Sequence, residues 1–237
     1  MMGSVREKLE TYLTHTGGNG SSADGRLRRD VAYERIKDAL QHADLEPGDV
    51  LSEVQLSRLL GISRTPIREA LQQLEKEGLV QMIPGRAVTV ASRSAKDVLD
   101  VLHIRMMLEP EAVRLAAECA TPQQIDRLQT AIHQMEEAVR AGNYPAWAAA
   151  DAVFHETLQH ACPNPLLGET IVQMRDRVHH IANTDFKGNM PRLQACTAEH
   201  RQIVDAIAAR DAHAAESAMR SHLNALRDSL LRRWTYG

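Results

Sequence analysis

Residues 52–79, SEVQLSRLLGISRTPIREALQQLEKEGL, constrain the fold more than any other stretch, because nearly every helix-boundary signal in them agrees. Ser52 suits the N-cap of a helix over 53–60, since its hydroxyl can accept from a backbone N–H of the first turn. Val54, Leu56, Leu59 and Leu60 supply that helix's apolar contacts. Gly61 ends it, because glycine takes the left-handed conformation of a helix C-terminus without steric cost. A second helix is expected from about Thr65, with Pro66 in the first turn, where a missing N–H matters least. Ile67, Ala70, Leu71 and Leu74 recur at helical spacing and face a core. Gly78 closes the helix, and two short β-like runs at 79–83 and 87–90 flank the turn signal Pro84-Gly85.

Two helices around a tight turn, followed by a hairpin, form a winged helix-turn-helix. Its second helix presents N-terminal side chains to base edges and phosphates. Arg64, Thr65 and Arg68 open that helix, the two arginines four apart and off the apolar stripe, so they are the candidate DNA-reading residues. Arg86 at the wing tip is placed for a phosphate or minor-groove contact. An ordinary helical hairpin with solvated arginines is the alternative.

Upstream, residues 1–29 read as a flexible N-terminal arm. A short helix is possible at 5–13, but 16–22 (TGGNGSS) has linker composition. Arg26, Arg28 and Arg29 either touch DNA backbone or are solvated. The winged domain is placed at 30–91, and 91–94 is a short hinge. From 94 to 233 every segment reads as helix. The segments are 96–120, bent before Pro110; 122–141, opened by Thr121-Pro122; 145–161; 166–181; 191–209; and 211–233, capped by Asp211. The fold class is therefore mainly α, an N-terminal winged helix-turn-helix plus a C-terminal antiparallel all-α bundle.

Charge supports DNA binding only weakly. Residues 26–93 carry 11 Lys and Arg against 10 Asp and Glu, and residues 94–237 carry 15 against 18. Affinity must come from the placement of a few arginines and from dimerisation. Cys119, Cys162 and Cys196 are far apart and form no CxxC pair, which points to reduced thiols. No apolar run approaches the roughly 18–20 residues that span a membrane, and no signal-peptide core opens the chain. A cytoplasmic protein without membrane contact is expected.

The bundle carries one constellation with metal-ligand chemistry. Asp151 and His155, four apart, share a helix face. His200 and His222 each lie 11 residues from Asp211, which sits at the turn of a predicted antiparallel hairpin, so they fall at the same height. One carboxylate and three imidazoles would suit a divalent transition metal. A hydrogen-bonded core histidine is the commoner fate of a lone buried imidazole, and spacing alone leaves both readings open. His103, His133, His160 and His213 are placed on surfaces or helix ends, and the adjacent His179 and His180 cannot both face one cavity.

Over roughly 30–91 the chain resembles the GntR family of bacterial transcription regulators, through LSEVQLSRLLGISRTPIREALQQLEKEGLV, the wing after it and the LEPGD turn at 45–49. The resemblance implies base or phosphate contacts for Arg64 and Arg68, and a close approach of the wing backbone to DNA at Gly85. Some relatives carry an arginine and a histidine where this chain has Val54 and Pro84, so their operator sequence does not carry over. Residues 94–233 resemble the all-helical ligand domain (FCD) of the FadR-type branch. The matching pieces are Arg105-x-x-Leu108-Glu109, Asp151-x-x-Phe154-His155, Glu199-His200-x-x-Ile203 and the late His222. That pattern implies a metal held by Asp151, His155, His200 and His222, with zinc first and nickel, manganese or iron as alternatives.

The expectation is a metabolite-responsive regulator, a repressor, binding palindromic double-stranded operator DNA as a homodimer. A small carboxylate effector would sit at the metal, with Arg105 and Arg175 as its guanidinium partners, unless each arginine is spent on a neighbouring carboxylate. A metalloenzyme is the alternative, yet no phosphate loop or nucleophile elbow occurs, and Glu156 and Glu199 are turned away from their neighbouring histidines by helical geometry. A purely structural metal is the third reading.

Overall fold

The computed structural model describes residues 4–15, 27–43, 45–83, 87–92, 94–186 and 189–236, with backbone only at 15, 179–185 and 233–236. The chain divides into two compact units, 1–94 and 95–237.

The first unit contains α1 (Val5–His15), α2 (Arg28–His42), β1 (Val50–Leu51), α3 (Glu53–Leu60), α4 (Arg64–Lys76), β2 (Val80–Ile83) and β3 (Ala87–Val90). The Ser52 hydroxyl accepts from the Gln55 N–H at 3.3 Å, and Gly61 takes φ +65°, so both ends of α3 follow from local chemistry. The Ser57 hydroxyl donates to the Ile62 carbonyl at 2.6 Å and fixes the turn into α4. Ile67, Ala70, Leu71 and Leu74 are fully buried in a core that includes Ile36, Leu45 and Leu56. Burial of the Ile67, Leu71 and Leu74 side chains contributes about 1.5–3 kcal/mol each, which holds α4 firmly while its opposite side stays in solvent.

Three sequence expectations change here. Val54 does not join the core; it is exposed, because it lies two residues, or about 200° of helix, from the buried Leu56. β1 was not anticipated: two residues are too few to display alternation, yet Val50 pairs with Thr89 and Leu51 with Val88, giving a three-stranded antiparallel sheet ordered β1-β3-β2. The arm read as flexible contains a docked helix. Leu9 and Leu13 of α1 share a face and are buried in the winged core, and the Tyr12 hydroxyl donates to Asp38 of α2 at 2.7 Å. The 16–22 linker and Arg26 lie outside the described residues. Arg28 is exposed, and Arg29 pairs with Asp30 at 2.8 Å.

The described residues of the second unit form six helices: α5 (Ala95–Cys119), α6 (Pro122–Arg140), α7 (Tyr144–Ala161), α8 (Pro165–Phe186), α9 (Met190–Ala208) and α10 (Ala212–Tyr236). α10 packs on α5 and α9, α6 on α7 and α9, and α5 on α8. Thr121 and Gln124 close a full capping box at the start of α6. α5 continues as one helix through Pro110, and α8 runs beyond the expected residue 181 to Phe186, whose ring is buried against Trp147. No helix among the described residues is long and apolar enough to cross a membrane.

The α9–α10 hairpin is fixed at its turn. Arg210 adopts φ +60° and donates to the carbonyls of Ala117 and Ala120 at the end of α5. Asp211 then caps α10, its carboxylate accepting from the Ala214 N–H at 2.9 Å. This turn sets the register in which His200 and His222 face each other.

Candidate functional site

On α4, Arg64, Thr65 and Arg68 are exposed, as side chains that read DNA must be. Glu53, at the first position of α3, meets both arginines. Its carboxylate accepts from Arg64 Nη2 and Arg68 Nε, each at 3.2 Å. Sequence reasoning missed this bridge, which joins residues 11 and 15 apart across the turn. The wing-tip candidates Gly85 and Arg86 lie outside the described residues.

In the helical unit the four predicted ligands line one small cleft, partly open to solvent, and Arg105 and Arg175 line it too. Their donor atoms do not form one tight set. Asp151, His155 and His200 form one group within 4.8 Å, and Cys196, His200 and His222 form another, sharing His200. Asp151 Oδ1 lies 3.5 Å from His155 Nε2 and 3.5 Å from His200 Nδ1. The rings of His200 and His222 are 4.6 Å apart, as the equal spacing about Asp211 predicts.

The surroundings hold these rings in place. Phe154 stacks on His200 at 4.3 Å between centroids. The Trp147 indole donates to Thr197, one turn before His200, at 2.9 Å. His222 Nδ1 lies 2.8 Å from Glu199 Oε2, and Arg192 donates to the same carboxylate. With Nδ1–H given to Glu199, a neutral His222 carries its lone pair on Nε2, the arrangement common around metal-bound imidazoles. Burial tends to raise the Glu199 pKa, but His222 and Arg192 outweigh it and hold the group below its usual range. The expectation that Glu199 turns away is thus half right. It faces away from its neighbour His200 but meets His222 from the opposite helix. Glu156 is at the surface, bound by Arg127.

Burial, then the neighbouring His222, pushes His200 well below the ordinary histidine range, so its ring is neutral at pH 7, the form that binds metals. Among the described residues, the buried His200 Nδ1 has no hydrogen-bond partner, an uncommon state that a cation would relieve. The donor set therefore fits a divalent transition metal. Cys196, one turn before His200, was not foreseen. Its Sγ is 3.8 Å from His200 Nε2, and burial, then Asp151, pushes the thiol pKa well up. The i, i+4 spacing of Cys196 and His200 was the available signal.

The two arginines differ. Arg105 is buried in an ion pair with Glu109 one turn on, so its charge is already matched. Arg175 meets Asp151 only at 4.0 Å, and no hydrogen bond to it occurs among the described residues. Burial lowers its pKa, with Asp151 opposing. His103, His133, His160 and His213 are exposed, as expected. The side chains of His179 and His180 lie outside the described residues.

A model of the FCD domain matches residues 100–225, more than half of the chain, and one of the bacterial regulatory proteins of the gntR family matches residues 28–90. The chain belongs to the GntR family. This GntR protein is 34% identical over 158 residues to an HTH-type transcriptional regulator of the TAR-I ttuE-ttuC' intergenic region of Agrobacterium vitis, covering 65% of this chain and 91% of that one. It is 29% identical over 222 residues to the HTH-type transcriptional repressor RspR of Escherichia coli K12, covering 94% of this chain and 93% of that one. The solved structure of E. coli McbR/YncC superposes with a TM-score of 0.78 at 25% identity, covering 87% and 98% of the two chains. This GntR-family chain is a transcriptional regulator with an FCD domain, and its relatives are named as regulators and not as enzymes.

Proposed function

We propose that this GntR regulator is a metabolite-responsive repressor, which binds a palindromic operator as a homodimer and releases it when a small carboxylate enters the helical unit. Arg64, Thr65 and Arg68 read the major groove, and Gly85 and Arg86 of the wing approach the backbone. Two recognition helices on a symmetric site supply the affinity that the weak net charge of the winged unit does not.

Asp151, His155, His200 and His222 would hold the metal, zinc first, with nickel, manganese or iron also suited to nitrogen and oxygen donors. The ion would supply a Lewis-acidic, positively charged centre for an anionic ligand. His200 stays neutral, Glu199 orients His222, and Phe154 stacks on one face of His200. Arg175, which among the described residues meets only Asp151, at 4.0 Å, is the guanidinium that can fork onto a carboxylate. Arg105 shapes the wall through Glu109. The observation that carries this reading is the buried His200 Nδ1, which among the described residues has no hydrogen-bond partner and lies 3.5 Å from Asp151 Oδ1, in a cleft that also presents Arg175.

Metal content of the purified full-length protein tests it. Wild type should hold about one divalent transition metal per chain, and His200→Ala and His222→Ala should each lose it while retaining helical circular dichroism. Wild-type metal content in both variants would remove these histidines from the site. Small carboxylates should then raise the melting temperature of metal-loaded wild type and leave the metal-stripped protein unchanged. A shift in neither would leave a structural metal at most.

A further inference from the structure

A second, small cleft, partly open to solvent, adjoins the one just described. The two share His155 and Arg175 as common lining. Their chemistry differs. The first presents carboxylate, imidazole and guanidinium groups. The second is lined chiefly by apolar side chains from four helices: Ala112 and Val113 of α5, Leu158 of α7, Ile171 and Val172 of α8, and Met219 of α10.

The few polar groups of the second cleft are mostly accounted for. Glu109 is bound by Arg105, so its charge is matched inside the protein. The Gln159 side chain packs over Gly168 so closely that a Cβ added there would meet Gln159 Cγ at 2.9 Å. His155 and Arg175 belong to the boundary between the clefts. The Arg175 side chain is 19% exposed and meets the carboxylate of Asp151 only at 4.0 Å, so it can take an anion at that boundary. A ligand whose carboxylate meets Arg175 at the metal-side cleft would direct the rest of its structure toward Val113, Leu158, Ile171 and Val172. Hydroxyl groups there would lose water without gaining partners, whereas methylene groups would be buried at a gain.

We infer that the second cleft is a subsite for an apolar tail, and that the effector is a monocarboxylate with a short aliphatic or single-ring tail, not a polyhydroxylated acid or a dicarboxylate. This inference rests on the carboxylate reading of the metal-side cleft and selects among the acids that reading admits. It also assigns Ala112, Val113, Leu158, Ile171 and Val172 as residues that set which acid is accepted.

Calorimetric titration of the full-length, zinc-loaded protein tests it with acetate, butyrate, hexanoate, benzoate, succinate and gluconate. From acetate to hexanoate each added methylene should tighten binding about fourfold, the ratio that follows from about 0.8 kcal/mol per buried methylene. Benzoate should also bind more tightly than acetate, and succinate and gluconate no more tightly. Ala112→Phe should fill the tail subsite, flattening the dependence on chain length while acetate affinity and zinc content stay at wild-type values. Val172→Thr, which keeps the shape and adds a hydroxyl, should weaken hexanoate severalfold and leave acetate unchanged, which guards against a misfolded phenylalanine variant. If all the acids bind with equal affinity, or if succinate or gluconate binds tightest, the tail subsite is overturned and the carboxylate reading stands. If none binds, the carboxylate reading falls and the subsite falls with it.

Discussion

The winged unit and the helical unit place the side chains proposed to bind DNA and metal in opposite environments. Arg64 and Arg68 have 64% and 61% of their side chains in solvent, whereas His200 and His222 are 1% and 3% exposed. In the first unit the core of Ile67, Ala70, Leu71 and Leu74 lies on one side of α4 and the working groups lie on the other. In the second unit the working groups are part of the core: His200 stacks on the fully buried Phe154, and His222 is tied to Glu199 and through it to Arg192. Function and stability are therefore separable in one unit and joined in the other.

Phe154→Ala should have the largest effect. Removing a fully buried ring typically costs about 3–5 kcal/mol, and here it also uncovers His200. Chemical denaturation should report that loss in the helical unit together with weaker metal binding. A loss well under 1 kcal/mol with metal retained would break the claim that the site is built into the core. Arg64→Ala and Arg68→Ala come next. Each should weaken operator binding by about 1–3 kcal/mol per half-site, the usual value of a good base contact, measured by fluorescence anisotropy, with melting temperature and metal content unchanged. Unaltered operator affinity would take these arginines out of DNA reading. Glu53→Gln should do least. It keeps the shape but removes the charge that bridges both arginines. Such exposed pairs contribute about 0–1 kcal/mol, so the fold should not change. Non-specific DNA affinity should rise a fewfold and the preference for operator over random duplex should fall. Equal preference in variant and wild type would show that the bridge does not orient the arginines.

The same contrast explains what could be read from sequence. The winged frame was legible because its signals are local: Ser52 as cap, Gly61 in the left-handed region, and four apolar residues at helical spacing on α4. The histidine pair was legible because a hairpin turn at Asp211 maps two equal spacings onto one height. Groups that act across elements were missed. Glu53 reaches over a turn, Glu199 meets His222 from another helix, and Cys196 enters through a neighbour on its own helix whose role was still open. The docking of α1 was missed for another reason. Leu9 and Leu13 are a minimal apolar face, and the glycine-rich composition after them pointed the other way. Val54 shows the reverse, since an apolar residue in a helix reads as core by type although its position turns it to solvent.

The central claim is that occupancy of the buried site in the helical unit changes what the exposed arginines of the winged unit bind. Linkage makes that claim reciprocal, so one binding experiment tests it directly. Fluorescence anisotropy with an operator duplex selected from a randomised pool would be run on metal-loaded and metal-stripped protein, with and without saturating hexanoate, benzoate, succinate or gluconate. The account predicts that at least one of these acids weakens operator binding by about 5–150-fold, the range of ordinary allosteric coupling, and does so only when the metal is present. Identical operator affinity under all these conditions would contradict it.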